Sequence, residues 1–204
     1  MDIRLNSVGK KFNNDWIFKN LSCTISSNNP TVILGGNGSG KSTLSQIIGG
    51  FSLLSEGEIE YKNEKGNIPS EEIYKYVSFA SPYQELIEEF TFAEILAFQN
   101  KLKPFTRSVQ ELEELLGLKQ IQNKSIKNYS SGMKQRVKLL LAICTNSDIL
   151  ILDEPTSNLD TDGVKWYQEL LLQNRNNRCI LIASNYLENE YFICENKIDL
   201  RNYK

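Results

Sequence analysis

The chain has 204 residues, of which 40% are hydrophobic and 24% are charged, and its formal net charge is −2. This is ordinary globular composition, sufficient for one substantial core, and it lacks the basic surplus typical of nucleic-acid-binding proteins. No apolar run reaches the roughly 18 to 20 residues that span a bilayer, and the amino-terminal residues lack the features of a signal peptide. We therefore expect a cytoplasmic protein, whose role at any membrane depends on a partner.

The first third of the chain has the sequence patterns of strands with one helix. β-Branched and aromatic residues alternate with polar ones or run together, and turn residues separate these segments. The predicted strands are two within 2–27, one at 31–35, one near 57–62 and one near 74–80, and the helix runs from about 41 to 49.

The middle of the chain, from about 85 to 145, is predicted to be mostly helical. Thr91 with Glu94, and Ser108 with Glu111, have the spacing of a capping box ahead of an apolar-periodic segment. The later predicted elements are buried strands at 148–154 and 179–184, a helix at about 161–173, and two short strands near 191–201. Strands alternating with helices, with a helical block inserted, predict an α/β core that carries a helical subdomain.

The sequence contains no histidine and four cysteines, and no two cysteines form a CxxC pair. Zinc sites of the usual Cys/His kind are therefore not expected, and the apolar surroundings of each cysteine favour reduced core thiols. The absence of histidine also removes the commonest general base. Any catalysis must depend on carboxylates, lysine or a metal ion.

The strongest chemical pattern is the run GGNGSGKST at 35–43. It fits the phosphate-binding loop G-x-x-x-x-G-K-[ST], with a buried strand before it and a helix after it, which disfavours a chance glycine-rich turn. The glycines let backbone N–H groups point at phosphate oxygens, and the helix N-terminus adds positive potential. Lys41 is expected to reach the β- and γ-phosphates, and Ser42 to supply an oxygen to Mg²⁺. The candidate nucleotide-binding residues here are Gly35, Gly36, Asn37, Gly38, Ser39, Gly40, Lys41, Ser42 and Thr43.

Two carboxylates end the predicted strand at 148–154, at the edge where α/β sheets bind their ligands. Asp153 is placed to hold Mg²⁺ directly or through water. Glu154 is one residue further on and is expected to point elsewhere, toward the γ-phosphate and an attacking water. Acidic residues also end strands simply because solvent begins there, and it is the phosphate loop that favours the metal-and-base interpretation.

A second anion site is indicated by YSSGMKQRV at 129–137, a small-residue turn before a basic amphipathic helix. The hydroxyls of Ser130 and Ser131, the amide of Gly132 and the helix start suit an anion, although this stretch has no glycine-rich loop of its own. An ordinary helix cap is the alternative, because serine is a good N-cap, and the two roles are compatible.

In this order and near these spacings, GGNGSGKST, YSSGMKQR, ILILDEP and SNLD at 157–160 resemble an ATP-binding cassette (ABC) ATPase. The resemblance covers nearly the whole chain and is nearest to the short single-domain ATP-binding subunits of bacterial exporters, including the haem-exporter type. It implies a P-loop NTPase core with an ABC-type antiparallel β subdomain and an inserted helical subdomain. Within one ATPase domain at 1–204, the nucleotide-binding core would be 1–82 and 146–204, and the helical subdomain about 83–145.

The resemblance also implies ATP and Mg²⁺ as cofactors and ATP hydrolysis that drives a separate transmembrane permease at the inner face of the cell membrane. A second nucleotide-binding subunit would pack head to tail, as a homodimer or heterodimer. Ser130 and Gly132 would contact the γ-phosphate held by that partner, with Ser131 where the family usually has glycine. Asp160 would belong to the loop that signals across the interface. Phe12 stands where the family stacks an aromatic residue on adenine, the alternative being a strand aromatic packed into the core.

Two positions depart from the family pattern. Pro82 stands where the family carries its Mg²⁺-sensing glutamine, and Gln84, two residues later, is either a substitute metal ligand or a surface residue. Asn185 stands in place of the switch histidine, where it can donate a hydrogen bond but cannot become cationic, or where it caps a following helix. The predicted catalytic set is therefore Glu154, Lys41 and Asn185. A soluble ABC ATPase of a cytosolic machine and a weakly hydrolysing regulatory subunit stay open as alternative functions.

Overall fold

The computed structural model describes residues 1–117, 124–175 and 177–204. Residues 118–123, part of the predicted helical block, lie outside the described residues. The chain divides into two compact units: a sheet unit of Met1–Phe79, Ser147–Glu154 and Asn177–Lys204, and a helical unit of Ala80–Asn146 and Pro155–Asn176. Within the described ranges, no helix has both the length and the apolar character needed to cross a membrane.

The described residues form nine strands and five α-helices. The strands are β1 (Asp2–Phe12), β2 (Asp15–Ser26), β3 (Thr31–Leu34), β4 (Glu56–Asn63), β5 (Gly66–Ile68), β6 (Val77–Ala80), β7 (Ile149–Asp153), β8 (Cys179–Ser184) and β9 (Asn196–Asp199). The helices are α1 (Lys41–Ile48), α2 (Phe92–Leu102), α3 (Val109–Leu116), α4 (Ser131–Cys144) and α5 (Thr161–Asn174).

One sheet has five strands, in the order β6-β7-β8-β3-β9. Strand β3 pairs in parallel with β8 and β9, and β7 pairs in parallel with β8. Every residue of β3, β7 and β8 is buried, as expected for a parallel sheet covered on both faces. Because β8 separates β3 from β7, the ends of β3 and β7 lie two strand spacings apart, about 10 Å.

A second, antiparallel sheet has the order β2-β1-β4-β5. Burial alternates along β1, where Ile3 and Leu5 lie in the core and Arg4 between them is exposed. This alternation is typical of a sheet with one face packed and one face in water. The sequence predicted three of the four strands of this sheet but not β5, which has only three residues.

The helical unit contains both predicted capping boxes. At α2, the Thr91 hydroxyl accepts a hydrogen bond from the Glu94 N–H at 3.3 Å, and the Glu94 carboxylate accepts one from the Thr91 N–H at 2.8 Å. Ser108 and Glu111 make the same pair of bonds at α3. These bonds lower the pKa of both glutamates, because each favours the ionised carboxylate. The two helix starts predicted from the sequence are therefore confirmed.

Two predicted boundaries are wrong. The strand expected near 74–80 begins only at Val77, because Pro69 and two glutamates lead into a 3₁₀-helix at Ser70–Tyr76. The two strands expected near 191–201 are one, β9, because the Cys194 N–H bonds the Tyr191 carbonyl and closes a turn. The four cysteines are free, as predicted, and burial raises the pKa of Cys23 to about 11 and that of Cys179 to about 12.

Candidate nucleotide-binding and catalytic site

The glycine-rich loop connects β3 to α1. Gly40 has φ of 101°, and a Cβ there would lie 2.3 Å from Cγ2 of Ile17, so both conformation and space require glycine. A Cβ built on Gly36 or Gly38 would meet nothing within 4 Å in the described structure. The Ser39 hydroxyl oxygen is buried without a hydrogen-bond partner among the described residues. An open backbone cradle and an unused hydroxyl fit a phosphate group in this loop.

Lys41, the first residue of α1, is 4% exposed. Its ammonium lies 3.3 Å from Oε1 of Glu154 and donates a hydrogen bond to the Gly36 carbonyl at 3.3 Å. A buried cation is costly unless it is paired, and these two oxygens provide the pairing. The structure thus brings together Lys41 and Glu154, two of the three residues that the sequence predicted to be catalytic.

Asp153, at the end of β7, is 1% exposed. It accepts a hydrogen bond from Ser42, while its Oδ1 atom has no partner among the described residues. Burial is the main reason that its pKa is raised, and the negative charges of Glu154 and Glu190 add to this effect. A carboxylate oxygen without a partner beside a serine hydroxyl is the kind of donor set that Mg²⁺ binds. The residues present therefore fit the predicted metal ion.

Glu154 follows Asp153 in an unusual backbone conformation. Its φ is +44°, in the left-handed region that few residues other than glycine adopt, while its N–H still bonds the Ala183 carbonyl at 2.9 Å. The Glu154 side chain keeps 28% exposure, whereas Asp153 is 1% exposed. Positive φ at a residue expected to activate water is the type of strain found at functional sites.

Asn185 follows the end of β8 and lies beside the glycine-rich loop. Its Nδ2 donates to Oδ1 of Asn37 at 3.1 Å. The described residues after Asn185 form turns and then β9 before any helical turn begins, so the helix-cap alternative is wrong. Its predicted role toward the γ-phosphate stays a prediction.

The second predicted anion site is a separate pocket of about 430 Å³ within the helical unit. Ser130 is the N-cap of α4 and accepts the Met133 N–H at 3.2 Å, so the helix-cap interpretation holds for this residue. A Cβ on Gly132 would lie 2.8 Å from the Asn158 carbonyl oxygen, so the turn and the SNLD loop approach too closely for any other residue. The pocket is lined by Ser130, Ser131, Gly132, Met133, Arg136, Asn158, Leu159 and Asp160.

Asp160 is the N-cap of α5 and lines the same pocket. Its Oδ1 accepts the Gly163 N–H at 2.7 Å and lies 4.0 Å from the Arg136 guanidinium, which in turn stacks 5.3 Å from the ring centre of Trp166. The turn at 129–132 and the SNLD loop at 157–160, almost thirty residues apart in the sequence, therefore form one surface.

The two remaining candidates are surface residues. Phe12, at the end of β1, is 52% exposed with the Lys10 ammonium 4.8 Å from its ring centre, so the core-packing alternative is wrong. Gln84 is exposed and lines a surface depression, so its role at a metal ion stays a prediction. The sequence did not indicate any role for Lys138. Its ammonium donates hydrogen bonds to the carbonyl oxygens of Ser81 and Pro82, at 3.4 and 2.6 Å.

Comparison with known proteins agrees with this arrangement. Residues 18–157, more than half of the chain, match the ABC transporter family. The chain is 30% identical to mouse ATP-binding cassette sub-family A member 17 over 83% of its own length, but spans only 10% of that protein. It is 29% identical to the uncharacterized ABC transporter ATP-binding protein YybJ of Bacillus subtilis, with 97% of this chain and 92% of that protein covered.

The solved structures extend the agreement to the whole fold. A putative ABC transporter ATP-binding protein from Pyrococcus furiosus superposes with a TM-score of 0.84 at 20% identity, covering 100% of both chains. A bacterial ABC transporter cassette solved as a dimer gives 0.79 at 24% identity, covering 97% of this chain and 93% of that one. The predicted fold class is confirmed.

The fold is that of a P-loop NTPase with an ABC-type antiparallel sheet and a helical unit. The chain belongs to the ABC transporter family, and it is an ATP-binding domain of that family.

Proposed function

We propose that this chain hydrolyses ATP as the nucleotide-binding subunit of an ABC transporter and drives a separate transmembrane permease. The observation that carries the proposal is the group at the mouth of the glycine-rich loop. There Lys41 pairs with Glu154, and the buried Asp153 next to it keeps an oxygen without a partner beside Ser42. A phosphate-binding cation, a candidate base and a metal-binding carboxylate in one place are the parts that phosphoryl transfer to water requires.

Each residue has a separate task in this proposal. Lys41 stabilises charge on the β- and γ-phosphates, and the loop N–H groups fix their orientation. Ser42 and Asp153 hold Mg²⁺, which when bound neutralises phosphate charge and lowers the barrier to transfer. Glu154 orients and polarises the attacking water, and its pairing with Lys41 must loosen when Lys41 turns to the phosphates. Asn185 donates a neutral hydrogen bond to the γ-phosphate or to that water.

The pocket of the helical unit would act on ATP that is bound to a second subunit. Ser130, Ser131 and Gly132 surround a helix N-terminus and would close over the γ-phosphate of ATP bound to the partner. Asp160 lies in the same pocket, so it would meet the partner as well. The dimeric cassette among the structural neighbours supports this arrangement, in which the permease would hold the pair of subunits at the membrane.

The test uses Glu154→Gln, which keeps the shape and hydrogen bonding of the side chain but removes its charge. Loss of a general base lowers turnover by about 10²- to 10⁴-fold. ATP should then bind without being consumed, and gel filtration with Mg-ATP should show a dimer that Lys41→Met, combined with Glu154→Gln, abolishes. A Glu154→Gln protein that turns over ATP at the wild-type rate would rule out the proposed base. One that stays monomeric at high concentration, alone or with its permease, would rule out the composite site.

A weakly hydrolysing regulatory subunit is the second candidate, and it is favoured by Pro82 and Asn185 at two positions where the family uses glutamine and histidine. It predicts ATP binding with little turnover even in the presence of the permease. Measuring ATP turnover with and without the permease separates the two candidates, because an energising subunit should be stimulated by its permease.

A further inference from the structure

A buried carboxylate lies behind the site and has no part in the mechanism above. Glu190 is 1% exposed, although the residues from Asn185 to Asn189 before it are all exposed. Burying a carboxylate is unfavourable unless hydrogen bonds compensate for lost water. Here the hydroxyl of Ser184 donates a hydrogen bond to Oε2 of Glu190. A charged group in such a place suggests a task that an apolar residue could not perform.

The contacts of Ser184 show which segment of the chain the Glu190 carboxylate stabilises. Ser184 is the last residue of β8 and is fully buried, and its Oγ also accepts the Leu187 N–H at 3.1 Å. The Glu190 N–H bonds the Leu187 carbonyl at 2.9 Å. These three bonds tie the start, the middle and the end of the segment 184–190 together. The segment is therefore a closed turn with a polar hub at Ser184 and Glu190.

The exposed part of this turn carries Asn185 to the glycine-rich loop. Asn185 directly follows the hub residue Ser184 in the chain. Its side-chain Nδ2 donates a hydrogen bond to Oδ1 of Asn37 at 3.1 Å. The next residue, Tyr186, has φ of +59°, so the backbone there is held in a conformation that it would not adopt without constraints. The hub provides such a constraint from the buried side, and the contact of the Tyr186 hydroxyl with Asp199 at 3.4 Å provides one from outside.

We infer that Glu190 is a positioning residue for ATP hydrolysis: by bonding Ser184 it fixes the turn that presents Asn185 to the glycine-rich loop and to the reacting phosphate. This inference rests on the proposed function, and it deepens that proposal at the same site. In this inference Glu190 acts on the reaction through the placement of Asn185. Its charge also raises the pKa of Asp153, and the neutral Glu190→Gln variant separates that electrostatic effect from the placement.

The proposal makes two distinct predictions for variants of Glu190. Glu190→Gln keeps an oxygen that can accept from Ser184 and should retain most of the turnover. Glu190→Ala removes the acceptor and should lower kcat about tenfold, the scale of one lost hydrogen bond in the transition state, with the Kd for Mg-ATP changed less than about twofold. Glu188→Ala is the matched control, because it removes an exposed carboxylate from the same turn, and it should behave as the wild type.

A double-mutant cycle then tests whether Glu190 acts through Asn185. In an Asn185→Ala background, Glu190→Ala should cause no further loss of kcat, since the residue to be positioned is already missing. Ser184→Ala should reproduce the loss of Glu190→Ala, and it serves as the second variant if Glu190→Ala does not fold. Losses that multiply independently, or wild-type kcat in Ser184→Ala, would overturn the inference.

A readout without turnover distinguishes failure of this inference from failure of the proposed function. In ¹⁵N-labelled protein without nucleotide, the amide resonances of Asn37 and Gly38 should shift in Glu190→Ala and Ser184→Ala as they do in Asn185→Ala. They should stay in place in Glu188→Ala. If wild-type protein hydrolyses no ATP but these resonances shift as expected, the proposed function fails and the positioning stands. If the resonances do not move, the inference fails whatever the turnover.

Discussion

Replacing Lys41 with methionine is the sharpest test of the nucleotide site. Methionine keeps the length of the stem in its nearly buried position, where Lys41 is 4% exposed, but removes the ammonium. In the described structure that ammonium is 3.3 Å from the Glu154 carboxylate and 3.3 Å from the Gly36 carbonyl, at the loop that should receive the phosphates. The variant therefore changes the charge of the site while changing its packing little.

The expected loss of affinity follows from the bonds that Lys41 can make to phosphate. A hydrogen bond to a charged group contributes about 1.5 to 3 kcal/mol, and about 1.4 kcal/mol corresponds to a factor of ten in Kd. ATP should therefore bind roughly 10- to 150-fold more weakly to Lys41→Met. The free energy of unfolding should change by no more than about 1 kcal/mol, because Glu154 is partly exposed and water can replace its lost partner.

Isothermal titration of Mg-ATP into the two proteins measures the affinity, and thermal unfolding establishes that both are folded. Lys19→Met is the matched control, since Lys19 is an exposed lysine on β2 and the same chemical change there should leave Kd unchanged. A folded Lys41→Met protein that binds ATP within about threefold of the wild type would refute the assignment of Lys41 to the phosphates.

Three further outcomes are expected. Asn185→Ala should lower kcat about tenfold, the effect of about 1.4 kcal/mol, with little change in the melting temperature, and wild-type kcat would remove Asn185 from the site. Gly132→Ala should weaken the ATP-dependent dimer seen by gel filtration while ATP binding to the monomer is unchanged, because its Cβ would lie 2.8 Å from the Asn158 carbonyl oxygen. Thr91→Ala should lower the free energy of unfolding by about 1 kcal/mol at pH 7, measured by urea denaturation. The pKa of Glu94 is lowered below its ordinary 4.5 by its bonds to Thr91, so the part of the stabilisation that comes from the Glu94 carboxylate is complete above pH 4.5 and is lost as the pH falls through the folded-state value. The bond from the Glu94 N–H to the Thr91 hydroxyl does not depend on this charge.

The parts of the fold that depend on local chemistry were predictable. The buried strands β3, β7 and β8 have runs of β-branched and apolar residues, and Thr91 and Ser108 cap their helices through residues three positions away. The glycine-rich loop was recognisable because a glycine such as Gly40 is required by conformation and space together. In each case the determining contacts lie close in sequence.

Other features depend on contacts that sequence reasoning cannot place. Strand β5 exists because Gly66 and Ile68 pair with β4, and three residues are too few for a recognisable pattern. Glu190 lies in a polar stretch and gives no indication of burial until Ser184 is seen beside it. The pairing of Lys41 with Glu154 joins residues more than a hundred positions apart. These features require the tertiary structure.

The left-handed backbone at Glu154 has a consequence for how this position responds to selection. Glycine adopts positive φ without penalty, and asparagine tolerates it better than glutamate does, so either replacement could relieve strain of about 1 kcal/mol or more. Either replacement also removes the partner of the buried Lys41, so the comparison is made in a Lys41→Met background, where that pairing is already absent. There a library screened only for thermal stability should enrich Glu154→Gly and Glu154→Asn, whereas in the Lys41 protein a screen for ATP turnover should eliminate both. Comparing the two screens would locate the residue at which durability and catalysis make opposite demands.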